Sequence, residues 1–221
     1  MKLLLKTLIA FLCGLLITGA MLFVPAGTLA YHGAWLFIAL LFIPILVMGI
    51  SLFIKNPELL RKRLEMKERE KEQKGVVALS GLLLVASFIV AGLDHRFGWS
   101  QVSNVVIIVA AVVLLVGYAL YAEVLRENAY LSRVVEVQEG QLVIDTGLYS
   151  IVRHPMYFSV TLLYLSIPLV LGSWWALLVM APCILLLAAR IKNEEQVLRQ
   201  GLVGYTDYTK RVRYRMIPWI W

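Results

Sequence analysis

Residues 153–195 read RHPMYFSVTLLYLSIPLVLGSWWALLVMAPCILLLAARIKNEE, and the fold follows from this stretch. Its polar start, RHPMY, precedes two apolar segments at about 157–171 and 174–189, and it ends in a second polar run, RIKNEE. Each apolar segment of about 16 residues extends about 24 Å as a helix, close to the thickness of the hydrocarbon core of a bilayer. Only Gly172 and Ser173 separate the segments, so we predict two antiparallel helices joined by a tight turn.

This predicted turn returns both polar runs to one face of the membrane. Arg153 and His154, which precede the first helix, then lie close to Arg190 and Glu194, which follow the second. Pro155 suits the first turn of a helix, where its missing N–H is not needed. Ionisable groups that converge at a membrane edge indicate a functional site.

The two polar runs favour opposite charges on a ligand. The free amides at the predicted helix start, together with Arg153, favour a carboxylate or a phosphate, and the helix dipole favours a neutral His154 beside them. Glu194 and Glu195 favour an ammonium or a sulfonium group. A ligand with both a carboxylate and an amino group satisfies both halves. The alternative is that these charges only anchor helix ends at the interface, and spacing does not decide between the two.

The composition is that of an integral membrane protein. The 221 residues are 61% hydrophobic, compared with about 45–50% in soluble domains. The net charge of +7 calls for no nucleic acid, because cytoplasmic lysines and arginines account for it. The two cysteines and three histidines have no metal-binding spacing, so we predict neither a metal site nor a disulfide framework.

We predict an all-α membrane protein with about six transmembrane helices. Four spans precede the helical hairpin, at residues 3–24, 34–54, 76–92 and 102–122. A cleavable signal peptide is the alternative for the first, and residues 94–99 form a short polar connection between the third and fourth. With the N-terminus inside, every lysine and arginine except Arg96 is cytoplasmic, so both termini and the site are predicted at the cytoplasmic face.

The chain divides into an N-terminal unit, 1–125, and a cofactor-binding unit, 126–221. The charged segment 55–75 is either an amphipathic surface helix or a solvated linker. Partial alternation of apolar residues over 133–146 predicts a short β-hairpin at the cytoplasmic face. The residues after Glu195 predict an amphipathic C-terminal helix that ends near Pro218.

Three motifs carry a family resemblance: GLYSIVRHPMY at 147–157, EE at 194–195 and GYTDY at 204–208. Together, over about residues 134–218, they resemble the isoprenylcysteine carboxyl methyltransferases and the related phospholipid methyltransferases. The resemblance implies S-adenosylmethionine bound at the cytoplasmic face. It also implies a lipophilic methyl acceptor that enters from the bilayer, such as a prenylcysteine-like carboxylate or a lipid amine.

The resemblance also implies roles for single residues. Glu194 holds the amino group of the cofactor, and Arg190, one helical turn earlier, lies near the methyl acceptor. Arg190 orients a carboxylate acceptor, whereas an amine acceptor loses its proton to His154 or Glu195. With the residues argued above, the predicted cofactor-binding set is Gln141, Leu142, Val143, Ile144, Tyr149, Arg153, His154, Pro155, Met156, Tyr157, Glu194 and Tyr205.

Two other functions remain open from the sequence. A membrane reductase of the sterol-reductase type has a similar C-terminal hairpin and uses NADPH, and the basic tail Arg211, Arg213 and Arg215 suits a 2′-phosphate. A small transporter or membrane scaffold is the non-enzymatic alternative. It predicts polar residues at mid-depth in several spans, and the sequence has few.

Overall fold

The computed structural model describes residues 2–55, 57–58, 60–61, 71–131 and 137–221. All regular secondary structure in these ranges is helical, which confirms the predicted all-α class. The helices are α1 (Lys2–Ala26), α2 (His32–Lys55), α3 (Lys71–Phe97), α4 (Asn104–Glu127), a 3₁₀ turn (Gly147–Ser150), α5 (Pro155–Val170), α6 (Trp174–Met180), α7 (Cys183–Gly201) and α8 (Tyr205–Arg211).

Five helical segments of the described chain are long and apolar enough to cross a bilayer, which confirms an integral membrane protein. They are α1, α2, α3, α4 and the continuous stretch Trp174–Gly201, which contains α6 and α7. The predicted sixth span, α5, is apolar but only 16 residues long. The predicted count of about six spans is therefore not confirmed.

The predicted helical hairpin is present. Gly172 reverses the chain after α5 in a left-handed conformation, with φ of 79°, which costs a glycine little. The amide of Ser173 donates to the carbonyl of Pro168, and the Ser173 hydroxyl accepts the amide of Ala176 and caps α6. The second leg is interrupted at Pro182, between α6 and α7.

The hairpin packs against α2, α3 and α4. α5 lies along α4, and α3 contacts both α1 and α6. An apolar core at the end of α5 distant from His154 is formed by residues that are almost fully buried, including Leu22, Phe37, Phe88, Leu114 and Val170. Many other large apolar side chains face outward, as expected where helices meet lipid.

Two predicted elements differ from the structure. No β-hairpin is present over 137–146, the described part of the segment; it has only a turn, closed by the amide of Gln141 on the carbonyl of Gln138. Val137 and Val143 instead bury their side chains against Leu202 and its neighbours, so apolar alternation here reflects side-chain packing rather than strand pairing.

The predicted C-terminal helix is present only in part, because residues 202–204 interrupt it and it ends before Pro218. α7 ends at Gly201, Gly204 has a φ of 84°, and α8 ends at Arg211, well before Pro218. Residues 212–215 are non-helical because their carbonyls accept hydrogen bonds from Arg153 and His154. The predictions for 55–75 and for residues 133–136 fall mostly or wholly outside the described residues.

Candidate active site

The start of α5 is fixed by the C-terminal tail. Pro155 occupies the first helical turn, as predicted, and His154 is the residue before the helix. The amide of Arg153 donates to the carbonyl of Tyr214 at 3.0 Å, and the amide of His154 donates to the carbonyl of Arg215 at 2.7 Å. The polar run is therefore held in place by residues about 60 positions later in the chain.

Glu195 joins these segments to α7. Its carboxylate accepts from Arg153 Nε at 2.7 Å and from Arg215 Nε at 3.0 Å, and His154 Nε2 lies 3.3 Å from Oε1. The side chain is almost completely buried and does not line the cleft described below. The predicted role of Glu195 as a proton acceptor stays a prediction, and in the structure two arginines already bind its oxygens.

Arg153 is committed to the protein as well. Besides Glu195, its guanidinium donates to the carbonyls of Val212 and Arg213, at 2.8 and 2.7 Å. We predicted that Arg153 attracts the anionic part of a ligand. In the structure Arg153 lies in the wall of the cleft, but most of its N–H groups already donate hydrogen bonds within the protein.

Glu194, the neighbour of Glu195, faces the cleft instead. Consecutive helical residues point about 100° apart, so one carboxylate of the pair turns inward and the other towards the ligand space. Tyr157 Oη donates to Glu194 Oε2, and Arg190 Nε donates to the same hydroxyl at 3.0 Å. His154 Nδ1 lies 3.8 Å from Glu194 Oε1, so the hairpin does bring the two polar runs together.

The opposite wall consists of the segment 137–145 and the 3₁₀ turn. The amide of Leu148 donates a hydrogen bond to Glu127 at the end of α4, and the side chain of Tyr149, within the 3₁₀ turn, is buried. Tyr208 Oη donates to the carbonyl of Tyr149 at 2.7 Å. Burial raises the pKa of both tyrosines, which keeps their hydroxyls neutral.

These walls enclose a cleft with an empty volume of about 830 Å³, its open mouth included. Every predicted cofactor-binding residue except Pro155 lines it, and so does Arg190. The further lining residues are Asn128, Tyr130, Leu131, Leu198, Leu202 and Tyr208.

Sequence reasoning missed the contribution of α4. Asn128 Nδ2 donates to Tyr149 Oη at 2.9 Å, and its Oδ1 accepts the amide of Tyr130. Tyr130 Oη in turn donates to the carbonyl of Gly140. The only signal in the sequence is a polar residue directly after an apolar span, which is too common to identify a site.

The chemistry of the lining fits an organic ligand. In the part of the chain that the structure describes, no three His, Cys, Asp or Glu side chains are grouped as metal ligands. Cys183 is buried in α7 and Cys13 is exposed on α1. The cleft instead combines one accessible carboxylate, aromatic side chains and two arginines.

One known family matches the part of the chain that contains the helical hairpin. The family model described as phospholipid methyltransferase matches residues 103–202. The matched range begins just before α4, includes the whole hairpin and ends shortly after α7. No curated protein matches the chain.

Proposed function

We propose that the chain transfers a methyl group from S-adenosylmethionine to a lipophilic acceptor, because residues 103–202 match the family model described as phospholipid methyltransferase. The family match supports a membrane methyltransferase in general terms. The donor, the acceptor and the residue roles are our proposal. So is the cytoplasmic orientation of the cleft and both termini, which is supported by the distribution of lysines and arginines.

One observation carries the proposal: Glu194 and His154, 40 positions apart, meet at 3.8 Å in the wall of the cleft. Glu194 is the carboxylate exposed to that cleft, and it suits a ligand with a cationic amino group. The side chain is 24% exposed, so solvent screens it only in part.

The lining also favours S-adenosylmethionine over NADPH. A 2′-phosphate needs a cluster of unengaged basic side chains. Of the tail residues considered for that role, Arg211 is paired with Asp145 at 2.9 Å and Arg215 with Glu195 at 3.0 Å. Neither lines the cleft.

The residues of the chain act mainly through position. The cofactor supplies an electrophilic methyl group on a sulfonium, and its transfer is an in-line displacement that depends on geometry. Glu194 is fixed by the Tyr157 hydroxyl, and Arg190 holds that hydroxyl from the other side. Arg190 would orient a carboxylate acceptor, whereas an amine acceptor would give its proton to His154, the cleft residue left from the predicted pair.

The test is binding of S-adenosylhomocysteine to the purified, detergent-solubilised protein by calorimetry. Glu194→Gln keeps the size of the side chain and removes its charge, so we expect affinity to fall by about 10- to 100-fold. Glu123→Gln is the matched control, because Glu123 is paired with Arg126 on α4 and does not line the cleft. Unchanged affinity in Glu194→Gln would remove Glu194 from the site.

The acceptor is identified by activity. The protein is reconstituted in lipid with methyl-labelled S-adenosylmethionine, offered phosphatidylethanolamine or a farnesylcysteine analogue, and the products are separated. Label in the phospholipid indicates an amine acceptor, and base-labile label in the analogue indicates a carboxylate. No transfer to any lipid or prenylated fraction would refute the proposed function.

A further inference from the structure

The hydroxyl of Tyr205 is a buried polar group without a partner. Tyr205 is the first residue of α8 and is only 4% exposed. Its Oη makes no hydrogen bond to any residue that the structure describes. Buried hydroxyls are nearly always paired, because losing water without gaining a partner is unfavourable.

The other tyrosines of the cleft are paired. Tyr157 Oη donates to Glu194, Tyr208 Oη donates to the carbonyl of Tyr149, and Tyr149 Oη accepts from Asn128. Tyr130 Oη donates to the carbonyl of Gly140, so all four of the other cleft tyrosines follow the rule that Tyr205 breaks. The exception therefore calls for an explanation specific to this position.

Tyr205 lines the same cleft as Glu194, so a bound ligand is the natural partner for its hydroxyl. Burial, and next the negative charges of Glu195 and Glu194, raise the pKa of Tyr205. The hydroxyl therefore keeps its proton at neutral pH, and it has that proton to donate.

We propose that the Tyr205 hydroxyl donates a hydrogen bond to the bound cofactor and is left unpaired when the cleft is empty. This inference rests on the proposed function. The sulfonium and the amino group of S-adenosylmethionine are cationic and have no acceptor to offer. The partner is therefore a carboxylate oxygen, a ribose oxygen or an adenine nitrogen of the cofactor.

The proposal predicts opposite effects on stability and on binding. Tyr205→Phe removes a hydroxyl that costs stability in the free protein, so the ligand-free melting temperature stays the same or rises. The same substitution removes a contact to the cofactor, so affinity for S-adenosylhomocysteine falls by about tenfold. A merely structural tyrosine would not separate the two measurements in this way.

Tyr208→Phe is the matched control for stability. It deletes the same atom from the same short helix, but that hydroxyl has a protein partner at 2.7 Å. Its loss leaves the Tyr149 carbonyl without this donor, so the ligand-free melting temperature falls. Both variants are melted without ligand and then titrated with S-adenosylhomocysteine.

The outcomes separate the two proposals. If the wild type does not bind S-adenosylhomocysteine, the proposed function fails and this inference fails with it. If the wild type binds and Tyr205→Phe binds equally well, only the inference is overturned. A ligand-free Tyr205→Phe that is destabilised as much as Tyr208→Phe also overturns it, because the hydroxyl then has a partner within the protein.

Discussion

Two carboxylates in the described chain are almost completely buried, and they lie beyond opposite ends of α5. Glu195 is 3% exposed, near the start of α5 and next to the cleft. Asp94 is 1% exposed, in the last part of α3, and accepts a hydrogen bond from Ser173, just after α5. Glu195 joins α7 to the start of α5 and to the C-terminal tail, and Asp94 joins α3 to the hairpin turn.

The difference lies in their partners. Glu195 is held by Arg153 and Arg215, with His154 beside them, so its charge is compensated by two guanidinium groups. Asp94 is held by the hydroxyls of Ser100 and Ser173 and by the amide of Ser100, so it relies on hydrogen bonds from neutral groups. The ion-paired cluster stands next to the ligand cleft, whereas the neutral one only closes loops. A buried charge beside the cleft is therefore structural support, and the carboxylate available to a ligand is the less buried one, Glu194.

Glu195→Ala tests the ionic cluster and has the largest expected effect. It leaves the Arg153 guanidinium buried without its anion, and breaking a buried pair in this way costs about 3–5 kcal/mol of unfolding free energy. The measurement is reversible unfolding of the detergent-solubilised protein, or thermal melting where unfolding is irreversible. A loss below about 1 kcal/mol would contradict the assigned role.

A double variant guards against the case in which Glu195→Ala does not fold. Glu195→Leu with Arg153→Met removes both charges and keeps apolar bulk in their place. Replacing a buried pair by apolar residues is often close to neutral, so the double variant should be more stable than Glu195→Ala. The opposite order would mean that the Arg153 contacts to Val212 and Arg213, rather than the pair, hold the tail.

The sequence predicts only part of this comparison. The hairpin follows from two apolar segments with Gly172-Ser173 between them, and it brings His154 and Glu194 together as predicted. The sequence does not show which of Glu194 and Glu195 turns inward. It depends on Arg215, which belongs to a tail that reaches the site through tertiary packing alone.

Asp94 shows the same limit at the other end of α5. The sequence predicts residues 94–99 as a polar connection, whereas α3 continues to Phe97 and Asp94 is inside the bundle. Its partner Ser173 is 79 positions away. A carboxylate near the end of an apolar segment has the same sequence pattern whether water or a distant serine pairs with it.

Asp94→Ala tests the neutral cluster and has the second largest expected effect. It leaves the hydroxyls of Ser100 and Ser173 without their shared acceptor, and the expected loss is about 1–3 kcal/mol. Asp94→Asn should lose less, because its amide oxygen still accepts the amide of Ser100 while the serine hydroxyls can rotate to match.

Asp94 is far from the cleft, so cofactor affinity is the second measurement for Asp94→Ala and Asp94→Asn. α5 is about 24 Å long, so cofactor affinity should stay at the wild-type value while stability falls. A large loss of S-adenosylhomocysteine affinity in Asp94→Asn would mean that the two ends of α5 are coupled. The Asp94 cluster would then not differ from the Glu195 cluster in its relation to the cleft.

Arg211→Ala completes the comparison with an exposed pair and has the smallest expected effect. Arg211, 65% exposed, lies 2.9 Å from Asp145, so solvent screens the pair and the expected loss of stability is less than about 1 kcal/mol. The pair nevertheless joins α8 to the segment whose residues Gln141–Ile144 line the cleft. Its loss should therefore weaken S-adenosylhomocysteine binding a few-fold at low salt and less at high salt.

Lys210→Ala is the control, because Lys210 pairs within α8, with Asp207 at 2.7 Å. Equal effects of the two substitutions on affinity would mean that the Asp145 contact does not hold this wall of the cleft.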